Sequence, residues 1–208
     1  MKKYELTEKF IEFEGRKLYQ IRALIDIERY AVHVGELGGY IEKEENLSQD
    51  GDAWVSDNAM ICGNASVYGN ALVYDNALVY DNAWVYGNAR VCGNAEVYDS
   101  ALVSGDAGVC GNASVYGNAK VSGKALVFCD ADYTTIKGFG TGYRNTTFFK
   151  CKDGLVRVTC GCFYGTIEEF RKQVKNTREG KIAKEYLMIA DLMEYHFQDD
   201  NVKTETTN

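Results

Sequence analysis

Residues able to carry out acid–base, nucleophilic or metal chemistry are few in this chain, and they are scattered. Of 208 residues only two are histidine, His33 and His196. An imidazole base must lie within hydrogen-bond reach of the proton it removes, yet neither histidine falls in the long central repeat. A three-histidine zinc centre is excluded by the count alone. Cys129, Cys151, Cys160 and Cys162 are the one group with a metal-like look. Their C-x-C pair lacks the usual zinc-knuckle spacing, and a thiol is commonly a small buried residue. Cys92 and Cys110 stand eighteen residues apart and read as neighbouring rungs of a packing ladder. The odd total of seven cysteines, with a start "MKKYELTEKF" that has no signal-like apolar core, predicts free thiols and a cytoplasmic protein. The expectation is therefore a protein that is not an enzyme, with no catalytic residue, no metal and no cofactor.

Most of the chain is instead given to one motif. From Ala53 to Asp130 it divides into thirteen hexads of the form A-x-V-[YSC]-[GD]-N, beginning "AWVSDN", "AMICGN" and "ASVYGN". Six is even, so the two-residue alternation of a strand keeps phase and Ala and Val point inward together. Gly, Asp and Asn accept turn or left-handed backbone at low cost, so each hexad is a short strand and a corner. Three corners close a triangular coil of eighteen residues. The predicted fold is mainly β: a single-stranded triangular β-solenoid with an N-terminal β cap and a small C-terminal α+β domain.

Open solenoid ends invite strand pairing, so caps are required. Residues 1–52 are predicted to form a hairpin cap around Gly15 and an irregular first coil, offset by two residues. Residues 53–131 form the solenoid. Residues 132–198 form the C-terminal domain, with a hairpin turn at Asp153-Gly154, a helix opened by a Thr166/Glu169 capping box, and a second helix from about Lys181 to Phe197. Residues 199–208 read as a disordered tail.

The hexads resemble the hexapeptide repeat of left-handed β-helix proteins, which implies a left-handed coil; they differ in often placing Tyr where that repeat has a small or acidic residue. The run from Val34 to Ala65, "VGELGGYIEKEENLSQDGDAWVSDNAMICGNA", resembles the entry segment of the YdcK-like β-solenoid family, whose transferase label rests on analogy of shape. The stretch from Cys160 to Phe170 is similar to the tails of phage and prophage solenoids, which implies a phage or prophage source and a host cytoplasm.

Function must then lie on the exterior. The fourth hexad position builds outward columns, Cys62, Tyr80, Tyr98 and Tyr116 on one edge and Tyr68, Tyr86, Ser104 and Ser122 on another. One rung departs from the rest: Leu72, Tyr74, Leu78, Tyr80, Trp84 and Tyr86 all point outward as an apolar girdle. Such a surface predicts a partner-binding site. The expected partners are a second copy of the chain, as dimer or trimer, and another protein, with a host defence enzyme as one alternative. A net charge of −7 argues against direct nucleic-acid binding, and no run is long and apolar enough for a membrane span. From Asp52 to Asp130 eight acids face Arg90, Lys120 and Lys124, a mild excess that falls short of a phosphate-like track for DNA mimicry. A hexapeptide-repeat acyltransferase is disfavoured by the histidine-free solenoid.

Overall fold

The corners decide the shape of the repeat. In a computed structural model that describes residues 1 to 198, the fifth hexad residue has positive φ at every turn from Asp57 (56°) to Gly123 (64°). The tail expected at residues 199–208 lies outside the described residues. Glycine is required where coils press together: a Cβ on Gly87 would stand 2.9 Å from the backbone nitrogen of Gly105. Aspartate replaces it at Asp57, Asp75, Asp81 and Asp99, and the carboxylates of Asp57, Asp75 and Asp99 each have a partner one coil on. Asp75 accepts from the Gly93 N–H at 3.0 Å, and Asp99 from the Gly117 N–H at 3.0 Å. The sixth residue binds its own column. Asn58, Asn76, Asn94 and Asn112 pass a side-chain amide bond from coil to coil at 3.1, 3.2 and 3.1 Å.

Between corners lie thirteen two-residue strands, β4 to β16, from Trp54–Val55 to Leu126–Val127. They form three parallel sheets whose rungs are eighteen residues apart. We name each face by an outward residue. The Trp54 face carries Trp54, Leu72, Arg90, Gly108 and Leu126, and the Met60 face carries Met60, Leu78, Glu96 and Ser114. The Trp84 face carries Ser66, Trp84, Leu102 and Lys120. Inside, each hexad's Ala and its Val or Ile are buried, at no more than 1% exposure. Small residues at both inward positions allow three sheets to meet in one narrow core with no polar atom to satisfy.

The N-terminal end is closed by β1 (Tyr4–Phe13) and β2 (Arg16–Ala23), an antiparallel hairpin turning at Glu14-Gly15, followed by β3 (Leu37–Ile41). β3 joins the Met60 face in parallel, and all three strands extend that sheet. In the first coil Ile41 pairs with Ile61 and Leu47 with Val67, a spacing of twenty. The two extra residues fall between Leu47 and Trp54, and Lys3 fills the space beside them. Its buried amine donates to the carbonyls of Ala53 (2.7 Å) and Gly51 (3.2 Å). Burial pushes that amine down to about 8 despite the nearby carboxylates of Asp52 and Asp50.

At the other end β17 (Tyr133–Ile136), β18 (Thr146–Lys150), β19 (Val156–Cys160) and β20 (Phe163–Thr166) make an antiparallel sheet laid across the last coil. Alternation divides its side chains. Tyr133, Phe149 and Cys151 complete the solenoid core, whereas Phe148 and Val158 face a second core under α1 (Ile167–Thr177) and α2 (Gly180–His196). The last rung is satisfied by threonines: the Lys120 N–H donates to Thr147 Oγ1 (3.1 Å), and Thr159 Oγ1 donates to the Lys120 carbonyl (2.8 Å). The sheet thus closes its own solenoid, and the helices pack behind it. The Thr166/Glu169 capping box is present, with Glu169 N–H donating to Thr166 Oγ1 at 3.2 Å.

One expectation is corrected. Cys92 and Cys110 are not free thiols packed in a ladder but a disulfide between adjacent rungs. Their outward column and eighteen-residue spacing bring the Cα atoms to 4.6 Å, inside the range a disulfide bridges. Cys62, Cys129, Cys151, Cys160 and Cys162 are free.

Candidate functional site

The outward fourth positions stack as ladders. Tyr80 and Tyr98 lie parallel with centroids 4.9 Å apart, Tyr98 and Tyr116 at 5.2 Å, and Tyr68 and Tyr86 at 4.9 Å. Each such pair contributes about 0.5–1.5 kcal/mol beyond area burial. Trp84 meets the edge of Tyr68 at 6.1 Å and 78°. Burial raises the Tyr80 phenol well above its ordinary range, and the neighbouring Glu96 carboxylate adds to that. Burial likewise raises the phenols of Tyr68 and Tyr98.

The six girdle residues lie on all three sides of the prism, and the chain covers them unequally. Leu72 and Tyr74 belong to the Trp54 face and its edge. A segment of residues 24–36 crosses that face: Ile27 and Val32 join the cluster that holds Trp54, with Tyr30 and Leu72 packed against it. Tyr30 donates its hydroxyl to the Asn70 carbonyl, and Arg29 donates to Asn88 Oδ1 at 2.9 Å. Leu78 and Tyr80 flank a groove on the Met60 face whose wall is the hairpin tip, Phe13 and Glu14. Trp84 has no such cover. It is 48% exposed, the neighbouring Leu102 and Tyr86 are half-buried, and together they form the middle of the Trp84 face.

The candidate chemistry residues do not converge. His33 is exposed on the crossing segment, 3.8 Å from Asp26, and His196 ends α2 in the opposite cap. Among the described residues no three His, Cys, Asp or Glu side chains gather into a set able to hold a metal ion.

Three stretches of the repeat, residues 65–81, 71–87 and 89–111, match a family model described as the YdcK β-solenoid repeat. Within residues 65–111 the hexads of this chain match the YdcK β-solenoid repeat. No curated protein matches the chain. The matched stretches carry Trp84, Tyr68 and Tyr86. Among the described residues no helix is long and apolar enough to cross a membrane.

Periodicity alone missed the crossing segment. Residues 24–36 have no hexad, and their short 3-10 turn at Glu28–Tyr30 is too brief to leave a period.

Proposed function

We propose that this β-solenoid protein is a non-catalytic scaffold that engages protein partners through its Trp84 face, and that its first partner is a second copy of itself. One observation carries the reading: among the described residues Trp84, at an outward strand position in mid-sheet, is 48% exposed, while Trp54 at the same hexad position is 1% exposed. A row of rigid rungs pre-organises such a surface, so little side-chain entropy is lost on contact. Tryptophan and tyrosine on a face with few charges are the residues that most often anchor a protein interface.

The test is the absolute mass in solution by light scattering, for the wild type and for Trp84→Lys. The expected result is a wild-type multiple of the chain mass that falls to a single chain in a variant with unchanged circular dichroism. A wild-type single chain at all concentrations overturns self-association.

A further inference from the structure

A second surface stands out by charge. The chain carries a net charge of −7, yet four of its cations, Lys120, Lys137, Arg144 and Arg178, border two adjoining concavities, of 700 and 160 Å³, that have no aspartate or glutamate in their linings. Arg144 and Cys162 line both. Among the described residues none of the four has a carboxylate within ion-pair distance, unlike Arg16, Arg157 and Arg171, which are each paired. Arg144 is held rather than loose: its side chain runs past Gly142 and over Gly161, where an added Cβ would stand 2.6 Å from Nη1. The bare glycine at 161 makes room for that guanidinium.

Beside it stands Tyr143, 68% exposed, at φ 45°. A bulky residue in left-handed backbone is strained, and such strain is kept where the surroundings enforce it. Here it leaves an exposed aromatic ring in the lining of the larger concavity, which Lys137, Arg144 and the amides of Asn118 and Asn145 share.

We propose that this site binds a free nucleoside phosphate, an inference that goes beyond the scaffold reading and does not depend on it. Unpaired guanidinium and ammonium groups take the phosphates through charge-assisted hydrogen bonds. The Tyr143 ring stacks on the base, an interaction open to any planar base. The site joins the end of the Trp84 face, through Lys120, to the Gly138–Gly142 loop of the C-terminal domain.

The experiment is isothermal titration of the full chain at low ionic strength with ATP, tripolyphosphate, adenosine and a short oligothymidylate. The site predicts uptake of ATP, weaker uptake of tripolyphosphate and none of adenosine. Arg144→Gln weakens ATP at least about tenfold. Tyr143→Ala weakens ATP alone, leaves tripolyphosphate unchanged, and is rescued by Tyr143→Phe; Arg90→Gln, on another face, changes nothing. No uptake of ATP at millimolar concentration overturns the proposal, as does ATP binding that ignores Arg144→Gln. Equal binding of ATP and tripolyphosphate removes the nucleoside, and tighter binding of the oligonucleotide removes the free nucleotide.

Discussion

Trp54 and Trp84 hold the same place in their hexads and belong to two different faces of the same prism. One is 1% exposed and the other 48%. The repeat is nearly identical around both, so the repeat cannot be the cause. Trp54 meets what precedes the solenoid: Gly38 of β3 lies so close that a Cβ would stand 2.8 Å from the Trp54 ring. Trp84 has only its rung neighbours. A monotonous scaffold therefore acquires distinct surfaces from the segments laid over it, and the uncovered surface is the one available for contact.

The comparison breaks most visibly if the two tryptophans are truncated. Trp54→Ala should destabilise the fold by about 3–5 kcal/mol in denaturant unfolding, because it opens a cavity at the N-terminal cap. Trp84→Ala should cost less than about 1 kcal/mol, the loss of one edge contact with Tyr68. Equal costs would contradict the difference in cover.

A smaller effect is expected at the corners shared by both regions. Gly87→Ala puts a methyl on a residue at φ 72° and within 2.9 Å of the next coil's backbone, and should cost about 1–3 kcal/mol by the same measurement. The Asn ladder is exposed, so Asn76→Ala, which removes two amide bonds, should cost about 1 kcal/mol or less.

The N-terminal cap also has a pH signature. Lys3 titrates near 8 in the folded chain, below its ordinary 10.5. Between those values the unfolded chain binds more protons than the folded one, so stability from this group rises with pH from about 8 towards 10.5. The raised thiol of Cys62 and phenols of Tyr4 and Tyr80 act in the opposite sense above about pH 9, so the Lys3 contribution is the difference between wild type and Lys3→Met. Between about pH 8 and 9 the wild-type slope should exceed that of Lys3→Met by up to about one proton; identical slopes would contradict the buried placement of the amine.

Much of the fold was legible because the hexad encodes it redundantly. Ala and Val give the inward pair, Gly or Asp at the fifth place gives the positive-φ corner, and eighteen-residue spacing gives the register, including the stacking of Tyr80 on Tyr98. The capping box at Thr166 and the turn at Asp153-Gly154 were equally local signals. What periodicity could not show is long-range cover. The girdle of Leu72, Tyr74, Leu78, Tyr80, Trp84 and Tyr86 reads as continuous in sequence, but nothing in the hexads says that residues 24–36 cross one side or that Phe13 and Glu14 wall another. The Cys92–Cys110 bond was missed for a related reason: spacing placed the two residues on one column, but bonding depends on the side chains' facing geometry.

The chain's only tryptophans are Trp54 and Trp84, so Trp54→Phe leaves a single reporter in the proposed contact. The most direct test is acrylamide quenching of Trp84 fluorescence in that variant, followed from dilute to concentrated protein alongside its mass. The account predicts that Trp84 is readily quenched in the dilute single chain and becomes shielded as the mass rises. A mass that rises while Trp84 stays equally accessible would place the contact elsewhere and contradict it.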